Sequence, residues 1–67
     1  MINTGKFKER MTSLGITQKE IAKALSISGS TMSLKLRNQR PFFLNEVKLV
    51  SELLKIQDSE FSEFFLQ

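Results

Sequence analysis

The side chains with the most chemistry to offer lie between Gln18 and Arg40, and their types suit binding rather than catalysis. Short hydroxyl side chains follow one another from Ser28 to Ser33, and arginines come soon afterwards. A serine hydroxyl can donate or accept a hydrogen bond, and an arginine guanidinium forms strong paired hydrogen bonds with phosphate oxygens. This combination predicts a surface that contacts a polyanion.

The residue types that enzymes use are scarce in this chain. It has no His, Cys or Tyr, a single Asp, and no glycine-rich loop that would hold a phosphate. The acidic residues are scattered, so no group of them has the spacing of a metal site. We therefore expect a protein without enzymatic activity, without a cofactor or metal, and without a small-molecule substrate.

Charge is distributed unevenly along the chain. Residues 1–40 contain eight Lys or Arg and two Glu, a net charge of +6, whereas residues 41–67 contain two Lys and five acids, a net charge of −3. This asymmetry predicts a basic face that meets a polyanion and an acidic remainder that points elsewhere. A basic surface that is merely solvated is the alternative interpretation.

The length of 67 residues predicts a single domain over 1–67, near the lower limit at which a chain buries enough surface, roughly 60%, to fold unaided. Without Cys, packing alone must hold it together, and a reducing cytoplasm is the expected location. Its apolar stretches are far shorter than the roughly 20 residues that span a bilayer. We expect a soluble, cytoplasmic protein with no membrane partner.

Apolar spacing predicts the first helix. Phe7, Met11 and Leu14 follow an i, i+4, i+7 pattern, which indicates an amphipathic helix that begins near Asn3. Gly15 follows directly and can end the helix in a left-handed conformation.

Capping patterns predict the second and third helices. Thr17 and Glu20 have the spacing of a capping box, and Ile21, Ala22 and Leu25 then face inward. After a link of about four residues, Ser28 is a good cap for a third helix over about 29–37.

The rest of the chain is also expected to be helical. The segment 38–41 reads as a loop, because the residue before Pro41 avoids the helical region. Asp58 is predicted to cap a last short helix that carries Phe61, Phe64 and Phe65. The inward positions of a fourth helix, predicted over 44–55, are Leu44, Val47, Val50 and Leu54. No segment alternates with the period of a strand, so we predict an all-α protein.

The second and third helices resemble the helix-turn-helix of the phage repressor and Cro family. Gln18, Ala22, Ile27 and Met32 carry the resemblance, and Ala22 is small where two crossing helices need a small side chain. The resemblance extends over about residues 7–65. It implies a five-helix, lambda-repressor-like domain in which helices 2 and 3 form the helix-turn-helix.

Departures from the family pattern lead to two further expectations. Ser26 stands where relatives usually have Gly, so it should take a positive φ, at a cost of about 1 to 2 kcal/mol, or the turn must adjust. Met11 and Leu36 stand where many relatives have a semi-buried ion pair, and they should pack together as apolar groups.

The resemblance also implies which residues meet double-stranded DNA. The third helix would enter the major groove, where serines discriminate weakly between bases and Leu34 can contact a thymine methyl group. A solvated helix face and ordinary surface charge are the alternatives. The residues placed at DNA are Gln18, Lys19, Ser28, Gly29, Ser30, Thr31, Ser33, Leu34, Arg37, Asn38 and Arg40.

The C-terminal part of the chain contains more apolar side chains than one small core needs. They include four phenylalanines and also Leu49 and Leu53. Either they form a homodimer contact or they cover the core. The residues concerned are Phe42, Phe43, Phe64 and Phe65.

We expect a Cro-type regulator that represses by occupying an operator as a homodimer, formed either in free solution or only on DNA. The alternative is a protein-interaction module, similar to an antitoxin, whose apolar surface binds a protein partner.

Overall fold

Five α-helices and one 3-10 turn make up the fold in a computed structural model that describes residues 1–66. The elements are α1 (Thr4–Leu14), α2 (Gln18–Ala24), α3 (Gly29–Leu36), α4 (Leu44–Leu53), the 3-10 turn (Asp58–Glu60) and α5 (Phe61–Phe65). Residues 1–66 contain no strand, so the all-α prediction is confirmed. None of these helices has the length and apolar character needed to cross a membrane.

The first two helices begin and end where local sequence predicted. The Asn3 side chain accepts a hydrogen bond from the Lys6 amide, so Asn3 caps α1 from outside. Gly15 ends α1 with a φ of 68°. At α2, the Thr17 hydroxyl accepts from the Glu20 amide and the Glu20 carboxylate accepts from the Thr17 amide, which completes the capping box.

The end of the chain differs in detail from its prediction. Gln57 rather than Asp58 holds the cap position, and the Glu60 carboxylate accepts from the Gln57 amide at 2.9 Å. A glutamate three residues into a helix can reach back to the cap amide, and here it does so in place of an aspartate cap. Helix α4 ends at Leu53, before the predicted boundary, because Lys55 takes a φ of 52°.

Phe7 occupies the centre of the core and is fully buried. Its ring stacks on Phe42 at a centroid distance of 6.0 Å and meets the rings of Phe64 and Phe65 edge-on at 5.5 and 5.3 Å. Edge-on and offset ring pairs add to the stabilisation that burial itself provides. The buried apolar residues are Ile2, Phe7, Met11, Ile21, Ala22, Leu25, Met32, Leu36, Val50, Leu54, Phe64 and Phe65. Helix α5 therefore closes the core against α1.

This core corrects two predictions. Phe64 and Phe65 are 3% and 7% exposed, so they cover the core and have no surface to offer a second copy. Leu44, predicted to face inward, is 73% exposed. The buried stripe of α4 runs through Glu46 and Val50, and at about 100° per residue Leu44 lies nearly opposite Glu46 around the helix axis.

The link between α2 and α3 contains a strained serine. Ser26 has a φ of 58°, which confirms the expectation of a positive value. Its amide donates to the Lys23 carbonyl, and the next amide, of Ile27, donates to the Ala22 carbonyl at 3.0 Å. These two bonds close the end of α2 only if the chain turns through the left-handed region at Ser26.

Replacing Ser26 by glycine should raise the free energy of unfolding by about 0.5 to 1 kcal/mol. Glycine adopts positive φ without the steric cost that serine bears, and this gain exceeds the extra entropy of glycine in the unfolded chain. Urea denaturation followed by circular dichroism measures the change. The matched control Ser30→Gly, inside α3, should lower stability by a similar amount, and a Ser26→Gly variant that is also destabilised would contradict the strain.

Candidate functional site

Helices α2 and α3 pack against each other across a link that covers residues 25–28. Ala22 is 3% exposed, and Ile27 is partly buried against the core. Ile21 and Met32, one from each helix, are fully buried. These contacts hold one face of each helix, so the opposite face of α3 and the exposed start of α2 remain available to a ligand.

The first turn of α3 is capped from within. The Ser28 hydroxyl accepts from the Thr31 amide at 3.0 Å and donates to the Thr31 hydroxyl at 2.9 Å. Both residues were predicted to contact a ligand. Their hydroxyl groups instead hold each other and the helix terminus, which leaves them less hydrogen-bonding capacity for an outside group.

The exposed surface of α3 is formed by small side chains. Gly29 and Ser30 are exposed, and Ser33 and Leu34 are half-buried. Apart from its chain neighbours and the backbone of its own helix, a methyl group built on Gly29 would meet no atom of residues 1–66 within 4 Å, so internal packing does not require glycine there. Leu34 is not among the partly buried apolar side chains of residues 1–66 that pack against the core. The positions predicted to contact a ligand therefore form a surface of mostly small side chains, which another molecule can approach closely.

Two arginines follow this surface in the chain. Arg37 and Arg40 are exposed, and neither has a carboxylate within 4.0 Å among residues 1–66. Gln18 is half-buried at the first position of α2, and Lys19 beside it is exposed. These four predicted site residues keep side-chain surface on the outside of the domain.

Asn38 has a structural role that the sequence prediction missed. Its side-chain oxygen accepts from the Ile2 amide at 2.8 Å, and its side-chain nitrogen donates to the Ile2 carbonyl at 3.1 Å. Its φ of 61° ends α3 in a left-handed turn, which Asn tolerates better than most residues. The carboxamide thus ties the N-terminal segment to the end of α3, a structural role beside the predicted ligand contact.

The charge asymmetry predicted that the acidic residues of the C-terminal part point away from the basic face. Not all of them do so. Three of them pair with basic residues of the N-terminal part. These pairs are Lys6 with Glu63 at 3.3 Å, Arg10 with Glu60 at 2.8 Å and Lys35 with Glu46 at 2.7 Å. Within residues 1–66, the N-terminal cations that have no carboxylate within 4.0 Å are Lys8, Lys19, Lys23, Arg37 and Arg40.

The pair between Lys35 and Glu46 is buried, with side-chain exposures of 3% and 7%. The Lys35 ammonium also donates to the Pro41 carbonyl at 2.9 Å and lies 4.5 Å from the centre of the Phe43 ring. Glu46 accepts in addition from the Phe43 amide at 2.9 Å. This network joins the last turn of α3, the following loop and the first turn of α4.

Burial by itself raises the pKa of the Glu46 carboxyl. The hydrogen bonds from Lys35 and from the Phe43 amide, together with the charge of Lys35, outweigh burial and hold that pKa below its ordinary value. The sequence did not predict this pair. The available signal was spacing, because Glu46 falls on the same helical stripe as Val50 and Leu54.

Arg10 forms a second connection between distant segments. Its guanidinium donates to the carbonyls of Leu54 and Lys55 at 2.9 and 3.0 Å and lies over the Phe64 ring at 5.1 Å. Its hydrogen bond to Glu60, followed by the bond from the Gln57 amide, lowers the pKa of the Glu60 carboxyl. Arg10 therefore binds the backbone carbonyls that follow the end of α4 and is not one of the basic residues without a carboxylate partner.

Among the four phenylalanines predicted at a dimer contact, Phe43 is the one that is mostly exposed, at 63%. Phe42 is half-buried and stacks on Phe7.

Comparison of the chain with protein-family models, with curated proteins and with solved structures found no match.

Proposed function

We propose that this chain binds double-stranded DNA sequence-specifically as a small repressor-type regulator, without catalysis, and that α2 and α3 act as a helix-turn-helix. The observation that carries the proposal is the exposed start of α3. Gly29 and Ser30 leave this helix end uncovered, and Arg37 and Arg40 follow it without a carboxylate partner among residues 1–66.

In this proposal α3 enters the major groove with its N-terminal turn toward the base edges. The absence of a side chain at Gly29 allows the helix backbone to approach closely. Ser30 and Ser33 then hydrogen-bond base edges, and Leu34 contacts a thymine methyl group. Because a serine hydroxyl both donates and accepts, discrimination between base pairs is modest.

Phosphate contacts supply most of the affinity. Arg37 and Arg40 lie beyond the C-terminal end of α3, where they would meet the DNA backbone. Lys19 and the free amides at the start of α2, next to Gln18, would meet it on the other side of the groove. The buried pair of Lys35 and Glu46 holds the loop that carries Arg40, so this arginine is presented by an ordered segment.

Binding to random-sequence duplex DNA should weaken steeply as salt increases. A dimer that contacts about 6 to 8 phosphates gives a slope of about −5 to −7 when log affinity is plotted against log salt. Fluorescence anisotropy of a labelled duplex, titrated at several salt concentrations, measures this slope. A slope near zero would contradict DNA binding.

Single substitutions should separate phosphate contacts from base contacts. Arg40→Ala should weaken binding to all sequences alike and make the salt slope smaller by about 1 for each phosphate that the protein no longer neutralises. Leu34→Ala should change which sequences are enriched from a random duplex pool. Lys55→Asn is the matched control, because it removes one positive charge at the far end of α4 while Asn tolerates the φ of 52° at that position.

If Lys55→Asn weakened binding as much as Arg40→Ala, net charge alone would explain the affinity. If Arg40→Ala changed base preference and Leu34→Ala did not, the assignment of contacts would be wrong. Selection from the random pool would in addition yield the operator sequence.

A protein-interaction module is the second candidate, and the exposed Phe43 and Leu44 at the start of α4 favour it. Such a module needs no free arginines beside α3. The salt titration separates the two candidates, since a protein that only binds another protein gives no measurable affinity for random duplex DNA.

A further inference from the structure

A shallow groove of about 670 Å³ runs beside α4, between this helix and the segment that leads into α5. Val47, Ile56 and Phe61 line it, and all three are partly buried against the core. Leu44 stands at one end and is 73% exposed. The apolar side chains that line the groove are thus open to solvent, and the Leu44 side chain beside them is largely exposed.

The outer face of α4 carries opposite charges one turn apart. Lys48 and Glu52 are exposed, and neither takes part in an ion pair within 4.0 Å among residues 1–66. Ser51 is half-buried at the edge of the groove, and within residues 1–66 its buried hydroxyl oxygen has no hydrogen-bond partner. Because its side chain is small, it does not project between the groove and the outer face.

These features complement a second copy of themselves. When two α4 helices lie antiparallel about a twofold axis level with position 50, Lys48 of each copy faces Glu52 of the other. The same axis brings Leu44, at the N-terminal end of one α4, to the level just beyond the C-terminal end of the other α4, where Ile56 lines the open groove. One register therefore pairs Lys48 with Glu52 twice and brings each exposed Leu44 to the end of the other copy's groove.

We propose that the outer face of α4 is a homodimer interface, in which a second copy docks antiparallel through Lys48, Glu52 and Leu44. An interface of this kind is isologous, so each contact occurs twice. This inference goes beyond the proposed function and does not rest on it, because the dimer forms without DNA.

The dimer is weak. Helix α4 has 10 residues and is therefore about 15 Å long, so the contact is smaller than the roughly 800 Å² per partner of a standard interface.

Sedimentation velocity of the full chain without DNA tests the proposal at concentrations from about 1 µM to about 1 mM, the range over which weak complexes associate. The native chain should change from monomer to dimer over this range. Lys48→Glu and Glu52→Lys should each weaken dimerisation at least about tenfold, since two like-charge contacts replace two attractive ones. An equimolar mixture of these two variants should form mixed dimers, because the glutamate introduced in one chain then faces the lysine introduced in the other.

The mixture separates contacts between copies from contacts within one helix. Lys48 and Glu52 are also i, i+4 neighbours in the same chain, and both single variants lose that neighbour pair. Mixing cannot restore it, so recovery on mixing comes only from the interface. Leu44→Ser is a further variant, expected to stay monomeric and, because Leu44 is 73% exposed, to keep its helical circular dichroism.

Three results would overturn the proposal. A native chain that stays monomeric throughout the range would leave the groove to a different protein. A dimer that persists in both charge variants and in Leu44→Ser would have its interface elsewhere. A mixture of the two charge variants that remains monomeric would exclude the antiparallel register. All three results are obtained without DNA, so they leave the test of DNA binding independent.

Discussion

Replacing Glu46 by leucine is expected to leave much of the chain unfolded at neutral pH. The change leaves the Lys35 ammonium, in a side chain that is 3% exposed, without the carboxylate that lies 2.7 Å from it. Removing one partner of a buried ion pair typically costs about 3 to 5 kcal/mol. The core of a domain this small rarely supplies a net stability above about 3 to 5 kcal/mol, so the loss is comparable to the whole.

The control for this variant is the double replacement Lys35→Met with Glu46→Leu. It removes both charges together and fills the space with apolar groups, so it should recover a large part of the lost stability. The remainder is the loss of the hydrogen bonds that Lys35 and Glu46 make with the Pro41 carbonyl and the Phe43 amide. Urea denaturation of the native chain and both variants measures the effect. A single variant as stable as the double variant would show that the pair does not behave as a buried one.

The same pair should make the native chain less stable in acid. The pKa of Glu46 is lower in the folded chain than in the unfolded chain, so its carboxylate stabilises the fold above the unfolded value of about 4.3. This contribution is lost as the pH falls through the folded pKa. The lowered pKa of Glu60 acts in the same direction. The double variant lacks the part due to Glu46, so its stability should fall less between about pH 5 and pH 2.

Phe7→Ala is expected to unfold the chain to a similar extent. Phe7 is fully buried and contacts three other aromatic rings, and deleting such a side chain from a core costs about 3 to 5 kcal/mol. Thermal denaturation followed by circular dichroism would show either no cooperative transition or a midpoint lowered by tens of degrees.

Phe43→Ala is the matched control, because the same side chain is removed at a position that is 63% exposed. It should change the stability by less than about 1 kcal/mol, the remaining effect being the loss of the ring beside Lys35. Equal losses in the two variants would contradict the division of the aromatic residues between core and surface.

Local sequence was sufficient to predict the helix boundaries that depend on neighbouring residues. Gly15, the capping box of Thr17 and Glu20 and the cap at Ser28 all appear as predicted, whereas the positive φ of Ser26 was expected from the family resemblance. Each of these features is decided by hydrogen bonds and sterics within about four residues. The exposure of Ser30 and of Arg37 could likewise be read from helical periodicity.

Only the tertiary structure decided the contacts between distant segments. Lys35 and Glu46 are 11 positions apart, and Asn38 and Ile2 are 36 positions apart. A charged or amide side chain looks the same in the sequence whether it faces water or a partner. Its role depends on whether the fold supplies that partner, which is why the structural role of Asn38 and the buried pair were missed.

The aromatic residues show the same limit. Composition indicates more apolar side chains than a small core needs, but it does not say which of them the core takes. Helix α5 packs Phe64 and Phe65 against Phe7. The side chains of Phe43 and Leu44, at the start of α4, are exposed to solvent. Burial is a property of how helices are arranged in space, and the spacing of apolar residues along one helix determines only which of them share a face.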